Sequence, residues 1–246
     1  MSLYDIDGNK INSDTVIEGR PTIISPEYFS ETVKSINHQG YCPTHTKNTK
    51  SAFIESYNKG FKYVECDIQP TTDGVLVIEH DAITTDYETW LAVNPTERIT
   101  LEQFLEICKV YSLFPYLEFK SATSETVTRT MDLVEKYGLK DYVTYISSKI
   151  ASLLQVVNRN PFARVGFLGT NVDAVVSLKT GCNKPFLDCS YASISDSLVE
   201  SCKANDIPLE VYTTSSDGHV TGLNKYVSGI TCYKDKYEDV MKKQYA

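Results

Sequence analysis

Two carboxylates, Glu65 and Asp67, stand two residues apart in the apolar run Tyr63-Val64-Glu65-Cys66-Asp67-Ile68. In an extended strand that spacing puts both on one face and Val64, Cys66 and Ile68 on the other. On an open sheet the pair would face water. Turned into a closed interior it is costly as bare anions, and a bound cation is the natural compensation. An oxygen donor set suits a hard divalent ion, Mg²⁺ or Ca²⁺, better than a soft one. Glu118, in the run Pro115-Tyr116-Leu117-Glu118-Phe119-Lys120, supplies a third carboxylate, and alternation puts Lys120 on its face. His38 (Asn37-His38-Gln39-Gly40) and His80 (Ile78-Glu79-His80-Asp81) fall where strands give way to loops. A lone histidine there is more often structural. Two of them beside an acidic cluster shift the balance toward proton transfer, for which a near-neutral imidazole is the commonest group.

Groups so far apart in sequence need a scaffold that gathers strand ends. Eight short apolar segments read as strands: Ser35 to His38, Lys62 to Asp67, Phe114 to Phe119, Tyr142 to Ile146, Arg164 to Leu168, Pro185 to Cys189, Pro208 to Tyr212 and Gly229 to Cys232. Amphipathic stretches at Asn48 to Lys59, Leu101 to Val110, Ser124 to Tyr137, Lys149 to Asn158 and Ser195 to Asn205 read as helices between them. Alternation of this kind predicts an α/β fold of parallel strands with crossover helices, a (β/α)8 barrel, with a doubly wound open sheet as runner-up. Thr72-Asp73-Gly74 before the extended run VLVIEHD predicts a short hairpin after the second strand, because an Asp-Gly step accepts the positive φ of a tight turn. No linker splits the chain after residue 30, so residues 31–246 read as one domain. Residues 1–30, polar and turn-rich, read as an N-terminal extension or an extra strand pair.

The net charge of −8 disfavours nucleic acid as a partner, since backbone binding needs a basic face. No apolar run approaches the roughly 20 residues of a membrane span, so no stable membrane insertion is expected. The start, MSLYDIDGNKINSDTVIEG, lacks the apolar core of a signal peptide. Seven cysteines (42, 66, 108, 182, 189, 202, 232) without a CxxC pair indicate neither a zinc framework nor a full disulfide scaffold. A reducing, cytoplasmic setting is the default expectation, with extracellular or phage-borne settings left open.

The succession NHQG, KNTKSAF, YVECDIQPTTDGVLVIEHD, ITLEQFLEICK and YLEFK resembles the glycerophosphodiester phosphodiesterase family. That family's pattern reads HRG, ENT with a following Ala-Phe, an ExD strand, a T-x-DG turn, a V-x-x-HD segment and a Leu-x-Glu-x-Lys strand. LEVYTTS and SGITCYKDKY resemble its VWTVN and GIITDRP segments, so the likeness spans about residues 33 to 237, and the ExD-to-HD block is its most specific part. The resemblance implies a PLC-like phosphodiesterase TIM barrel with one divalent cation on Glu65, Asp67 and Glu118. It implies His38 and His80 as acid and base, without saying which is which, and Lys120 as a phosphate contact. The implied reaction is hydrolysis of a glycerophosphodiester, or of a glycerol-phosphate polymer, to glycerol phosphate and an alcohol. A phosphodiester anion resists attack until cations neutralise its nonbridging oxygens.

Three departures surround the expected phosphate site. Gln39 stands where the family has Arg, exchanging a forked cation for a neutral amide. Lys47 replaces the Glu of ENT, a gain of cation beside the loss of one, although a solvated loop lysine is the plainer reading. Tyr212 replaces Trp, keeping an aromatic wall, and Cys232 replaces Asp. Only about 20 residues separate His80 from the helix at Leu101, so the family's cap insertion is reduced and the mouth more open. Two alternatives follow: a noncatalytic phosphodiester-binding barrel, through Gln39 and Lys47, or a related sphingomyelinase D-like phospholipase. The intact histidine pair speaks against the first, and the lack of obvious apolar lipid-binding loops against the second. His45, Trp90 and His219 are expected on ordinary loop surface.

Overall fold

The computed structural model describes residues 3–4, 10–11, 34–120, 123–182, 185–214 and 226–233. β1 (Leu3–Tyr4) and β2 (Lys10–Ile11) form an antiparallel pair. Among the described residues, eight parallel strands follow: β3 (Lys34–His38), β4 (Tyr63–Pro70), β6 (Phe114–Phe119), β7 (Thr144–Ser147), β8 (Arg164–Leu168), β9 (Pro185–Ser190), β10 (Leu209–Thr214) and β11 (Val227–Cys232). β11 pairs with β3, and β3 with β4, so the sheet closes on itself as a TIM barrel. The open-sheet alternative is thereby removed. β5 (Leu76–Ile78) folds back antiparallel on β4 as the expected hairpin. Its turn is fixed by Gly74 at φ +85° and by the Thr71 hydroxyl donating to Asp73 at 2.5 Å.

Helices α1 (Lys50–Asn58), α2 (Tyr87–Ala92), α3 (Leu101–Val110), α4 (Ser124–Lys136), α5 (Ile150–Arg159), α6 (Val172–Lys179) and α7 (Asp196–Ala204) cover the described ring. Several start on side-chain caps, with Thr49, Thr100, Thr123, Asn171 and Ser195 each accepting a backbone N–H of the first turn. At α3 the cap is reciprocal, since Gln103 reaches back to the Thr100 N–H at 2.9 Å. α2 and α6 are absent from the sequence reading. α6 is short and valine-rich, which weakens its helical signature, although Asn171 before it is a cap residue.

Outward-facing strand residues such as Val64, Cys66, Ile68, Leu117 and Val165 pack against Phe53, Phe104, Leu153 and other helix residues. Inside the ring, Ile36, Tyr63, Phe114, Tyr116, Ile146 and Phe186 form a separate apolar plug. It is interrupted by a buried ionic group: Lys34 and Arg164 approach Glu210 Oε1 at 3.1 and 2.6 Å, and Arg164 lies over the Phe186 ring at 3.9 Å. Burial pushes the Glu210 carboxyl up, but the two cations pull it back below its ordinary value. Gly229 is required beside it, since a Cβ there would lie 2.6 Å from Glu210 Cδ. Glu210→Ala leaves two buried cations without their shared carboxylate, and an equilibrium unfolding curve should show a loss of about 3–5 kcal/mol. A loss below about 1 kcal/mol would show that the group is not held by charge.

Candidate active site

Strand register assembles the site in rows. His38 is the lateral partner of Glu65 across β3 and β4, and Asp67 is the partner of Glu118 across β4 and β6. Partners in a parallel sheet project to the same side, so the imidazole and all three carboxylates enter the barrel together. The chain leaves β3 through two successive positive-φ residues, Gln39 at +55° and Gly40 at +79°. Gly40 has no substitute, because a Cβ would come within 2.8 Å of Ala52. This turn directs the Gln39 N–H to Glu65 Oε2 at 3.1 Å and its side-chain amide to Asp67 Oδ2 at 2.5 Å. Asn48, also left-handed at φ +57°, donates to the same Asp67 oxygen at 2.7 Å.

Lys120 bridges the acids, 2.9 Å from Glu118 Oε1 and 3.1 Å from Asp67 Oδ1. The Asp67 contact is an ion pair without hydrogen-bond alignment, and Glu65 Oε1 is buried with no hydrogen-bond partner. The three carboxylates can each offer an oxygen within 4.8 Å of the others. A compact set of hard oxygen donors with an unsatisfied buried member fits a divalent cation.

Without one, the charges strain each other. Burial, then the charge of Asp67, pushes the Glu118 carboxyl up to about 7. Glu65 is held well above its ordinary value by burial, reinforced by Asp67 and Glu118. Burial pulls the Lys120 ammonium down, and Glu118 and Asp67 more than offset it, leaving the group above the usual lysine range. His38, 3.8 Å from Glu65 and edge-on to Tyr233, is lowered to about 4, chiefly by burial. Asp67 opposes that shift, while Lys120, His80 and Lys47 add to it. His80 is half-exposed on the rim, with Nδ1 2.8 Å from Asp81 Oδ1.

A cavity of about 350 Å³ opens at the carboxyl ends of the strands, lined by His38, Glu65, His80, Glu118, Lys120 and Tyr212 among others. Residues 38–126 match the model of the Glycerophosphoryl diester phosphodiesterase family. The matched stretch carries both histidines, the three acids and Lys120, so the phosphodiesterase resemblance falls on the residues that the fold brings together. No curated protein matches the chain.

Solved structures of glycerophosphodiester phosphodiesterases share the fold. One from Parabacteroides distasonis is 22% identical at TM-score 0.75, over 87% of this chain and 97% of that one. The one from Thermotoga maritima is 16% identical at 0.70, over 88% and 99%. A phosphodiesterase from Oleispira antarctica, in complex with the product sn-glycerol-3-phosphate, is 18% identical at 0.74, over 86% and 97%.

The departures from the phosphodiesterase pattern differ in their structural meaning. Gln39, expected at the phosphate, is buried and its amide engages Asp67, so it positions an acid rather than lining the cavity. Lys47 is exposed and outside the cavity lining, though its charge is felt by His38 and Asp81. Tyr212 does line the cavity, whereas Cys232 packs into the outer apolar layer and leaves the lining to Thr231. Trp90, expected on the surface, is buried: its indole N–H donates to Glu79 at 3.4 Å and Arg98 stacks on it at 4.8 Å. His45 contacts Thr44 and lies off the cavity, and His219 lies outside the described residues.

Two site residues escaped the sequence reading. Asn48 stood within the quoted KNTKSAF motif, its left-handed backbone being the reason for an amide there. Asp188, a lone acid in the apolar strand PFLDCS, lines the cavity from β9.

Proposed function

We propose that this chain hydrolyses glycerophosphodiesters to glycerol phosphate and an alcohol, with residues 31–246 as the catalytic unit. The observation that carries the reading is the gathering of Glu65, Glu118, Lys120, His38 and His80 on one cavity at the carboxyl end of a closed barrel, with the buried Asp67 against Lys120 and within reach of the other two acids. Glu65, Asp67 and Glu118 would hold one divalent cation, Mg²⁺ or Ca²⁺ by their donor chemistry, supplying charge neutralisation of the phosphoryl oxygens.

The chain's own groups then divide the work. Lys120 places an ammonium against the phosphoryl group. Gln39 and Asn48 fix the Asp67 carboxylate through two amide donors on one oxygen. His38, enclosed and disfavoured as imidazolium, accepts the proton of the attacking hydroxyl, whether from water or from a neighbouring glycerol hydroxyl. His80, on the rim and paired with the Asp81 carboxylate, delivers a proton to the departing alkoxide. Tyr212 forms an aromatic wall. The short stretch between His80 and α3 leaves the mouth open enough for a glycerol-phosphate polymer as well as a deacylated phospholipid head. The product complex of the Oleispira antarctica phosphodiesterase supports the class of substrate.

Chelation tests the core of this reading. With glycerophosphocholine, glycerophosphoethanolamine, lysophospholipid and glycerol-phosphate polymer as substrates, EDTA should reduce turnover of the best one by at least about 100-fold, and excess Mg²⁺ or Ca²⁺ should restore it. Turnover unchanged by EDTA would sink the cation's part in the proposal. Absence of turnover on every glycerophosphodiester, with cation binding intact, would favour the binding-module alternative.

A further inference from the structure

The cavity has a second acidic wall that the reaction scheme leaves unused. Around the ring the strands run β3, β4, β6, β7, β8, β9, β10, β11, so β9 lies four places from β4 in either direction. Asp188 on β9 therefore faces the Glu65 and Asp67 strand from across the barrel. It is only 1% exposed, lines the cavity, and its Oδ1 has no hydrogen-bond partner among the described residues. A buried polar atom left unsatisfied beside a cavity is costly unless something enters to satisfy it.

The surroundings select among possible entrants. A quaternary ammonium favours several aromatic faces, and Tyr212 is the one aromatic ring besides the catalytic imidazoles among the described lining residues. The remaining lining residues are the hydroxyl residues Ser148, Thr213 and Thr231, with Ile146 and Leu168 as apolar backing. Burial, reinforced by the charges of Glu210 and Glu118, holds the Asp188 carboxyl well above its ordinary value. A group biased toward its neutral form both donates and accepts, as a polyol requires. Depth agrees with this, since a phosphodiester's variable alcohol belongs at the open rim near His80 and its constant end at the enclosed floor.

Resting on the proposed phosphodiesterase reading, we infer that Asp188 is a specificity-determining residue that binds a hydroxyl of the substrate's glycerol end, with the phosphoryl group against the opposite wall of Lys120 and the three acids. Asp188 thereby separates glycerol phosphate from phosphate alone.

The test is binding, measured by calorimetry on the Mg²⁺-loaded full chain with sn-glycerol 3-phosphate and with inorganic phosphate as probes. Asp188→Ala should weaken glycerol phosphate by about 10- to 100-fold, the range of one or two hydrogen bonds including one to a polar buried group. Inorganic phosphate should bind unchanged, and Asp188→Asn, which still accepts from a hydroxyl, should keep affinity for glycerol phosphate within about tenfold of the parent. Asp188→Leu, close in shape but without polar atoms, serves in the same comparison should the alanine protein not fold. Equal weakening of both probes, or of neither, would overturn the inference. Failure of the parent protein to hydrolyse glycerophosphocholine would count against the proposed reaction instead, because the binding comparison does not depend on turnover.

Discussion

Glu65→Gln should abolish cation-dependent turnover while leaving a folded protein that no longer gains thermal stability from Mg²⁺ or Ca²⁺. The substitution keeps the shape and the acceptor for the Gln39 N–H, which donates to Glu65 Oε2 at 3.1 Å. What it removes is one of three buried charges. In the metal-free protein that charge is unfavourable, as the elevation of Glu65 by burial, Asp67 and Glu118 indicates. The variant should therefore melt no lower than its parent when both are free of metal. With cation at about 100 times its dissociation constant, the parent gains about 2.7 kcal/mol, which for a domain of this size is a rise of roughly 5–10 °C. The variant should show no such rise, and its turnover should fall by roughly 10³-fold or more, the scale on which charge stabilisation at a phosphoryl centre operates. Calorimetric melts with and without cation check the first half, and steady-state assays the second. A variant that still gains several degrees on cation addition would show that the ion sits elsewhere.

The sequence made the metal wall legible and the opposite wall obscure for the same physical reason. Period-two alternation identifies a face only when at least two polar residues share it, as Glu65 and Asp67 do on β4 and Glu118 and Lys120 do at the end of β6. Asp188 has no charged companion, because on its face of β9 Phe186 fills the barrel plug and Ser190 is a hydroxyl at the last strand position. Register across strands is a tertiary property, so the alignment of His38 with Glu65 and of Asp67 with Glu118 could be seen only once the ring had closed. Gln39 illustrates a different limit. Its residue type suggested a weakened phosphate contact, but the left-handed turn at Gln39 and Gly40 gives its amide to Asp67. Trp90 was hidden by its place: an aromatic in the stretch between His80 and Leu101 reads as loop surface until Arg98 and Glu79 are seen to close over it.

The two histidines should respond oppositely to the leaving group. Each alanine variant alone should lose about 10²–10⁴ in kcat/KM on glycerophosphocholine, the usual contribution of a positioned proton-transfer group. Choline leaves as a strongly basic alkoxide and needs a proton as the bond breaks. p-Nitrophenolate does not. On a glycerol p-nitrophenyl phosphodiester, His80→Ala should therefore recover most of its loss, while His38→Ala should remain impaired by the same factor as before. The assignment follows from position: His38 is enclosed beside Glu65 and disfavoured as a cation by burial, whereas His80 sits half-exposed on the rim with its Nδ1 against the Asp81 carboxylate. The paired variant should be less impaired than the product of the single losses, because the two imidazoles serve one transition state and their effects are not additive. Cation-dependent thermal shifts should survive His80→Ala, since its ring nitrogen Nδ1 contacts Asp81 and not the three acids. Recovery by His38→Ala on the activated substrate, in place of His80→Ala, would exchange the two roles, and substantial turnover in the paired variant would remove histidine from the mechanism altogether.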